Sequence, residues 1–521
     1  MKNFFVLPLL MLAFHGFAQQ QCGTSFSDQE ATTDRLKANI EYFNKFGIPE
    51  NAITYIPVFF HLTANTAGDG RAGVKDIFNI LCTLNADYAE HNIQFYMVPH
   101  ATYGLVDFSI NNDNVYNNQT NSFLMKLRKH ANAVNYYIVG EAQTNNQQPG
   151  GAAAYYTPAN DWIVVNKGYS SLGESTSSHE TGHFFSLRHT FYGWESDAQD
   201  WQNEPPCFES ADPGWPCAPA ISPGGTPTEK ADGSNCSVAA DLICDTPPDY
   251  NFGYCENPSV CGQYNGGAQD PMCQPVDPME NNFMSYYFNC TDYDFTPLQE
   301  GAIKADILSS QRNFLDNNYT PPALTIATPA DLLVSPAQDE VVSDDDTAVL
   351  TWNAVAGATY YYVEVDITTT FSSPQLQYFL VAANSTLTVT GLTANKKYNW
   401  RVRPFNEYYV CAAAKTRSFK TNTISSVEHI EDVAAWAVVP NPAGNEQDIS
   451  VTFSTAQQVD NLSLNIYDLA GKLIFVQNEI TLFPGQSAVN IPAGRFSEGV
   501  FFVTLIQSGK KETKRLVVSR N

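Results

Sequence analysis

Residues 179–189 read His-Glu-Thr-Gly-His-Phe-Phe-Ser-Leu-Arg-His. Side chains four positions apart project from the same face of a helix, so His179 and His183 can present imidazole nitrogens to one metal ion. Glu180 is rotated by about 100° from His179, which suits it to hold a water molecule beside the ion rather than to coordinate. Beyond the helix, His189 can fold back as a third ligand. Three imidazoles with one open position are typical of catalytic zinc, not of structural zinc.

Two other interpretations of this stretch stay open. The histidines can belong to the core of an amphipathic helix, or the helix can bind a metal ion without catalysing a reaction. Buried imidazoles need hydrogen-bond partners, which makes two of them beside a carboxylate a poor filling for a core. The polar run at residues 175–178 is typical of a helix N-cap and predicts that the helix begins there.

The sequence on either side of the motif alternates between strand and helix patterns. Residues 53–62, 93–98 and 135–139 are apolar runs typical of buried strands. Residues 74–92 carry apolar side chains at helical spacing. We therefore predict an α+β fold, in which a mixed sheet supports the metal-binding helix within residues 51–320.

The cysteines indicate an exported protein. Of 11 cysteines in 521 residues, eight fall between Cys207 and Cys290, in a segment with little periodicity. A local, even cluster in an exported chain predicts a region held by disulfides. The pairing cannot be deduced from spacing, and the odd total leaves at least one thiol without a partner in the chain.

The first 18 residues have the pattern of a secretory signal peptide. Lys2 precedes an apolar run over residues 4–14, and residues 16–18 place small side chains where a signal peptidase cuts. The run is shorter than the ~20 residues that span a bilayer, which argues against the alternative, a membrane anchor. We expect cleavage after Ala18 and a secreted or cell-surface protein with no transmembrane segment.

The overall charge limits the classes of molecule that the protein is expected to bind. With 28 Lys and Arg against 54 Asp and Glu, the formal net charge is −26. Such a field repels phosphate backbones and anionic lipids, so we expect no nucleic-acid partner. A hydrophobic fraction of 43% argues against wholesale disorder.

Beyond residue 320 the pattern is β only and predicts two all-β sandwich domains. Residues 321–425 resemble a fibronectin type III domain, on the strength of Trp352 and of strand patterns at 360–367 and 398–403. Nothing in this segment points to a specific ligand.

Residues 426–521 resemble the C-terminal sorting domain of the type IX secretion pathway. The features that carry the resemblance are Pro-Asn-Pro at 440–442, a hairpin at 464–473, a strand at 499–505 and a basic end at 510–515. The resemblance implies that the type IX secretion machinery is a partner. A plain adhesive β-sandwich is the alternative.

The motif at 179–189 is similar to that of the metzincin metallopeptidases, His-Glu-x-x-His-x-x-Gly-x-x-His. Over roughly residues 53–315 the chain most resembles the pappalysin family of metzincins. The matching segments occur in the family's order, at 56–61, 84–87, 189–191, 241–247, 282–286 and 295–299. One departure is Ser186, which stands where the family has a glycine in a left-handed conformation; serine there costs about 1 kcal/mol.

The resemblance implies a role for each residue of the site. His179, His183 and His189 would hold zinc, and Glu180 would be the general base. Met284 would form the hydrophobic floor beneath the zinc, with an ordinary core methionine as the alternative. The phenol of Tyr286 would hydrogen-bond the developing oxyanion, with a packed aromatic ring as the alternative.

The resemblance also implies a zymogen. Cys22, in Cys22-Gly23-Thr24, would bind the zinc as a thiolate, and residues 19–50 would be a propeptide that is removed on activation. The alternative is a disulfide-bonded or free thiol of no consequence.

Two further sites follow from the same resemblance. Asp241, Asp245 and Thr246 would bind a structural calcium ion, unless these acids only cap turns. Gly151, Ala152 and Ala153 belong to residues 150–156, which would be the edge strand that pairs with an extended substrate, or a strand with no such role.

Together these features predict a secreted zinc endopeptidase whose substrates are proteins or peptides. Some relatives prefer a basic residue after the cleaved bond, but residues 287–292 depart from the acid-rich pattern expected there and put that preference in doubt, although Asp292 or Asp294 could serve. Two other classes stay open: a secreted surface adhesin with a passenger metal site, and a zinc amidase acting on small amides.

Overall fold

The computed structural model describes most of the chain, in the ranges 22–47, 53–111, 123–142, 152–195, 217–255, 260–262, 264, 267–316, 318–423, 430, 433–444, 448–469, 471–492 and 494–519. The predicted signal peptide at 1–18 and Gly151 of the predicted edge strand lie outside these ranges. Among the described residues, none of the helices combines the length and the apolarity that crossing a bilayer requires.

Residues 22–47, within the predicted propeptide, form two helices, α1 (Phe26–Ala31) and α2 (Thr33–Phe46). Helix α1 begins at a capping box, in which the Ser25 hydroxyl accepts the Asp28 N–H and the Asp28 carboxylate accepts the Ser25 N–H. Helix α2 follows directly, and its buried Leu36 joins the main core.

The next segment carries α3 (Val74–Asp87), α4 (Phe123–Arg128), α5 (Thr176–Phe184), α6 (Phe252–Cys255) and α7 (Pro297–Ile307). Its strands are β1 (Thr54–Thr63), β2 (Ile93–Met97), β3 (Asp107–Ile110), β4 (Val134–Val139), β5 (Ala154–Thr157) and β6 (Trp162–Asn166). Short 3-10 turns cover Lys167–Tyr169, Cys236–Val238 and Ser310–Leu315.

The six strands form one mixed sheet, as the alternating pattern predicts. The order is β2-β1-β4-β6-β5, with β3 also paired to β1. All pairs are parallel except β5 with β6, where Ala154 faces Val165 and Thr157 faces Trp162. Strand β1 is buried from Ile56 to Thr63 because helices cover the sheet, so its sequence is a continuous apolar run. The antiparallel β5 lies at the edge of the sheet.

Eight strands follow as a β-sandwich: β7 (Leu333–Ser335), β8 (Glu340–Val341), β9 (Ala348–Trp352), β10 (Tyr360–Asp366), β11 (Gln377–Ala382), β12 (Thr386–Val389), β13 (Lys397–Phe405) and β14 (Lys415–Lys420). One sheet has the order β11-β10-β13-β14-β8 and the other β12-β9-β7. Trp352 and Trp400 lie in the core between them.

This first sandwich packs against the α+β part and shares a buried hydrophobic cluster with it. Tyr362, Phe405 and Val410 belong to the same buried cluster as β1 and α3. The Phe78 ring of α3 lies 4.8 Å from the Phe405 ring, and the Met97 N–H at the end of β2 donates to the Glu407 carbonyl at 2.8 Å.

The last eight strands build a second sandwich with a separate core. They are β15 (Ala435–Val439), β16 (Ala443–Gly444), β17 (Ile449–Thr455), β18 (Val459–Asp468), β19 (Leu473–Leu482), β20 (Gly485–Ile491), β21 (Gly499–Gln507) and β22 (Lys510–Ser519). Their sheets have the orders β15-β17-β20 and β16-β22-β21-β18-β19. The two predicted all-β regions are thus both sandwiches.

Four disulfides join cysteines of the described part of the chain. Three lie in the cysteine-rich segment, at Cys217–Cys273, Cys236–Cys244 and Cys261–Cys290. The fourth, Cys82–Cys411, joins α3 to the first sandwich across 329 residues. Cys22 is a free thiol, in line with the odd cysteine count.

Candidate metal centre and active-site cleft

The structure brings the three histidines of the motif to one point. The Nε2 atoms of His179 and His183 lie 3.2 Å apart, those of His183 and His189 3.1 Å, and those of His179 and His189 3.2 Å. The chain leaves α5 after Phe184 and turns at Ser186, whose φ of 76° is left-handed. Serine therefore adopts at this position the conformation that the family's glycine would, and His189 returns to its two partners.

Each imidazole is oriented by a bond at its other nitrogen. Nδ1 of His179 lies 2.7 Å from the Phe283 carbonyl oxygen, and Nδ1 of His183 lies 2.9 Å from that of Leu187. Nδ1 of His189 lies 3.1 Å from Oε1 of Glu195. All three partners accept, so each Nδ1 carries the proton and each Nε2 directs a lone pair at the shared point.

These lone pairs fit a zinc ion. Three nitrogens held tetrahedrally at the usual Zn–N distance stand about 3.3 Å apart, close to the separations seen here. Burial lowers the pKa of His179 to about 4, and burial with the neighbouring imidazoles holds the pKa of His183 well below its usual range. Neutral imidazoles are the form that binds a metal.

Cys22 adds a fourth donor. Within the described ranges, one group of three or more His, Cys, Asp or Glu side chains has its ligand atoms within 4.8 Å of one another, and it consists of the three histidines with Cys22. Burial, with the nearby Glu180 carboxylate, raises the pKa of the thiol when no metal is bound. The sulfur of the predicted propeptide cysteine thus lies within 4.8 Å of the candidate ligand nitrogens of the three histidines.

Met284 lies directly beneath α5. It is fully buried, and its N–H donates to Oδ1 of Asn282 at 2.9 Å. A Cβ on Gly182 would lie 2.5 Å from the Met284 sulfur, so glycine at 182 allows the close approach. The need for Gly182 is invisible in the sequence, because it depends on a residue about a hundred positions away.

Helix α5 begins at Thr176, as the polar run predicts, but not by the expected capping bond. The Ser175 side chain makes no capping hydrogen bond to the described backbone of the helix. Ser178 is turned instead toward Asp87 of α3, to which its hydroxyl donates. Among the described residues, the start of α5 is thus held by a side-chain hydrogen bond to α3 and not by a capping bond from Ser175.

Glu180 lies buried beside the metal centre. Its Oε2 accepts a hydrogen bond from the Thr24 hydroxyl at 2.9 Å, while its Oε1 has no partner among the described residues. Burial raises the pKa of Glu180 to about 7. The carboxylate is thus near the three imidazoles without sharing their hydrogen bonds.

The phenol of Tyr286 also reaches this cleft. Its ring centroid lies 5.0 Å from that of His189 and 5.9 Å from that of His179, and its hydroxyl lies 3.4 Å from the Cys22 carbonyl oxygen. A Cβ on Gly253 would lie 2.5 Å from the Tyr286 carbonyl carbon, so α6 packs directly against the Tyr286 backbone. The Tyr286 hydroxyl therefore lies in the same cleft as the three histidines, where it could contact a ligand.

The N-terminal segment occupies the cleft along β5. The Gly23 N–H donates to the Ala154 carbonyl at 2.7 Å, and the Tyr156 N–H donates to the Thr24 hydroxyl at 2.8 Å. Ala154 and Tyr156 lie within the predicted edge strand at 150–156, beyond the three positions, 151–153, predicted to contact substrate. Ala152 is bonded to Ala142, and the Ala153 carbonyl accepts from Asn166 of β6, so their backbone groups face the rest of the sheet.

Further contacts from α1 and α2 were missed by sequence reasoning. Gln29 accepts the His189 N–H at 2.8 Å, and Asn39 donates to the hydroxyl of Ser186 at 3.0 Å. Arg35 donates to the Phe184 carbonyl and forms an ion pair with Asp306 of α7. No local pattern marks these polar residues, because their partners come from distant loops and helices.

The residues of the predicted calcium site are occupied by protein contacts. Asp241 accepts bonds from the Ile243 N–H and the Thr246 hydroxyl, both at 3.0 Å. Asp245 accepts from the Leu298 N–H at 2.8 Å, at the first turn of α7. These are the bonds that turn-capping acids would make, and calcium binding here stays a prediction.

Comparison with known proteins finds a matching family model and several relatives. Residues 437–519 match the family model described as a secretion system C-terminal sorting domain. An extracellular metalloprotease of Colletotrichum graminicola is 30% identical over 229 residues, which cover 39% of this chain and 77% of that protein. An extracellular metalloprotease of Neurospora crassa is 32% identical over 184 residues, which cover 31% of this chain and 59% of that protein. This chain thus spans less than two thirds of the Neurospora protein.

Among solved structures, the chain is similar to the one titled "Crystal Structure of FN3tt", at 23% identity and a TM-score of 0.16, covering 19% of this chain and 98% of that one. It is also similar to the fn3 domain of human collagen alpha-1(XX), at 19% identity and a TM-score of 0.17, covering 22% and 100%.

The sorting domain and the extracellular relatives show that the protein is secreted or carried on the cell surface. The match to the Colletotrichum protein covers most of that relative, and three histidines with Cys22 form a group that could hold a metal ion. The chain belongs to the family of extracellular metalloproteases.

Proposed function

We propose that the chain is a secreted zinc endopeptidase of the pappalysin type. The observation that carries this proposal is the convergence of three Nε2 atoms within 3.2 Å of one another, each imidazole being held by an acceptor at Nδ1. His179, His183 and His189 would hold the zinc ion. When bound, zinc supplies Lewis-acid activation of water and of the scissile carbonyl.

The protein's own side chains and backbone carry out the remaining steps, which are proton transfer, oxyanion stabilisation and substrate binding. Glu180 takes a proton from the attacking water and delivers it to the leaving amine. Its place at the metal centre and its free Oε1 support this role. The Tyr286 hydroxyl donates a hydrogen bond to the carbonyl oxygen as negative charge develops there. The backbone of β5, at Ala154 and Tyr156, holds an extended peptide across the cleft, as it holds residues 23–24 in this structure.

The same contacts support a zymogen. The Cys22 sulfur lies within 4.8 Å of the histidine nitrogens, where it would be the fourth ligand, while Thr24 donates to the carboxylate that would act as base. Residues 19–50 would thus block the metal and the base together. We assign 1–18 to the signal peptide, 51–320 to the catalytic domain, 321–425 to the fibronectin-like domain and 426–521 to sorting by the type IX machinery.

The proposal is tested on purified protein from which the propeptide has been removed. We expect one zinc per chain by elemental analysis, cleavage of casein, and loss of cleavage on chelation with recovery on adding zinc. Hydrolysis that survives complete removal of the metal contradicts the proposal. Cleavage of small amides with casein left intact favours a zinc amidase, and a zinc-loaded protein that hydrolyses neither favours an adhesin.

A further inference from the structure

The three candidate metal ligands differ in the group that their Nδ1 atom contacts. His179 and His183 are each bonded at Nδ1 to a neutral backbone carbonyl. His189 is bonded to a carboxylate, Oε1 of Glu195, at 3.1 Å. An anionic partner makes an imidazole a stronger donor than a carbonyl does, and it also fixes the plane of the ring. The third ligand therefore has a kind of support that the other two lack.

The loop after the motif is built to present this carboxylate. The second oxygen of Glu195, Oε2, accepts the Gly193 N–H at 2.7 Å, so both oxygens are fixed. Gly193 has a φ of 97°, and a Cβ there would lie 2.5 Å from the Ser222 hydroxyl oxygen. Only glycine fits this tight turn, which folds Glu195 back under His189 six residues after the ligand. The side chain of Glu195 is 13% exposed, which limits competition from water.

The N-terminal segment engages the same carboxylate. Gln29 Nε2 lies 3.1 Å from Glu195 Oε1 and 3.0 Å from His189 Nδ1. With its Nε2 facing the metal, His189 carries its proton on Nδ1, so the Gln29 amide can donate only to Glu195. One oxygen of Glu195 thus serves two donors while the segment is in place.

We propose that Glu195 is a positioning residue, which orients His189 and strengthens its bond to the metal. This inference rests on the proposed zinc site and adds to it a residue outside the motif. It also implies that removing residues 19–50 leaves His189 as the partner of Glu195 Oε1 among the residues that the structure describes.

The test compares zinc affinity in the full chain and three variants, Glu195→Ala, Glu195→Gln and Glu90→Gln. Affinity is measured by competition with a chelator of known strength. We expect Glu195→Ala to weaken zinc binding by about 10- to 100-fold. Glu195→Gln keeps an acceptor without the charge and should recover part of that loss. Glu90 is an exposed carboxylate of the same domain, and Glu90→Gln should bind zinc like the parent.

A second readout separates positioning from general damage to the fold. The absorption spectrum of the cobalt-substituted chain should shift in Glu195→Ala, because the third ligand is misplaced, and not in Glu90→Gln. Zinc affinity in Glu195→Ala within twofold of the parent overturns the inference. If that variant does not fold, Glu195→Gln decides: clear weakening supports the role and equal affinity overturns it. A parent chain that binds no zinc refutes the proposed function instead.

Discussion

At the scale of single residues, Glu180 offers the sharpest test of the proposed chemistry. The Glu180→Gln variant keeps the size and the burial of the side chain but cannot accept a proton. We expect kcat to fall by about 10²- to 10⁴-fold, the usual contribution of a general base. Zinc content and the unfolding midpoint should stay near those of the parent, since the glutamine amide can keep the contact with the Tyr156 backbone. Parent-like turnover in this variant would show that another group is the base.

A second residue-scale prediction concerns a buried ion pair away from the metal centre. The Asp107 carboxylate lies 3.1 Å from His61 Nδ1 and 3.7 Å from Arg128, and it also accepts from Ser109. Burial opposes its ionisation, but the hydrogen bonds from His61 and Ser109 outweigh it and lower the pKa of Asp107 to about 2. A lowered folded pKa gives stability that is complete above the unfolded value, near 4, and disappears as the pH falls toward 2.

The Asp107→Asn variant should therefore lose stability at pH 5 and not at pH 2. We expect a cost of about 1–3 kcal/mol at pH 5, the usual penalty for a broken charged hydrogen bond. Urea unfolding of the parent and the variant at several pH values between 2 and 6 measures the difference. A gap that stays constant across this range would mean that the charge of Asp107 does not contribute.

The zinc ligands could be found from the sequence because their spacing is local, whereas their supports could not. Two histidines four apart on a helix must share a face, whatever the rest of the fold does. Glu195 supports His189 only because Gly193 turns the chain back, and Gln29 reaches it from the other end of the domain. Contacts of that kind depend on the tertiary structure and leave no periodic signal.

At the scale of elements, α6 positions the segment that carries Tyr286. A Cβ on Gly253 would lie 2.5 Å from the carbonyl carbon of Tyr286 and 2.7 Å from the amide nitrogen of Tyr287. Because these are backbone atoms, the Gly253→Ala variant must push the Tyr286 segment away from α6. We expect kcat to fall by about tenfold or more with a smaller change in KM, since an oxyanion donor acts in the transition state.

The matched control for this prediction is Gly73→Ala. A Cβ on Gly73 would have its nearest neighbours at 3.8 Å, an ordinary contact distance. Kinetics and zinc analysis of both variants would show whether the effect is specific to α6. Equal kcat in the two variants would mean that Tyr286 tolerates the shift or takes no part in turnover.

Strand periodicity located some strands of the sandwiches, such as β10 and β13, but not the interface of the first sandwich. In β10, Tyr361, Val363 and Val365 alternate into the sandwich core, so the side chains between them would be expected to face solvent. Tyr362 is buried nonetheless, because its ring packs edge-on against Phe78 of α3 with centroids 5.5 Å apart. An aromatic residue on the outer face of a strand signals such a contact only weakly, since exposed aromatics are common in sandwiches.

At the scale of the whole molecule, the two sandwiches should differ in what they contribute to stability. The first shares a buried cluster with the α+β part and is joined to it by Cys82–Cys411. The second has its own core. Ending the chain at residue 425 should therefore leave the unfolding midpoint of the α+β part unchanged. Ending it at residue 320, with Cys82→Ser to remove the stranded thiol, should expose Phe78 and cost at least about 2 kcal/mol from the lost disulfide alone.

Chemical unfolding of the two truncated chains, each still carrying residues 22–47, measures this difference, with the full chain as reference. The same comparison bears on the role of the fibronectin-like region, because a mere spacer could be removed without cost. If the chain ending at 320 unfolds at the same denaturant concentration as the chain ending at 425, the shared cluster does not stabilise the α+β part. If it unfolds earlier and also loses zinc, the first sandwich supports the metal centre through α3, which packs against α5 by the Ser178–Asp87 bond.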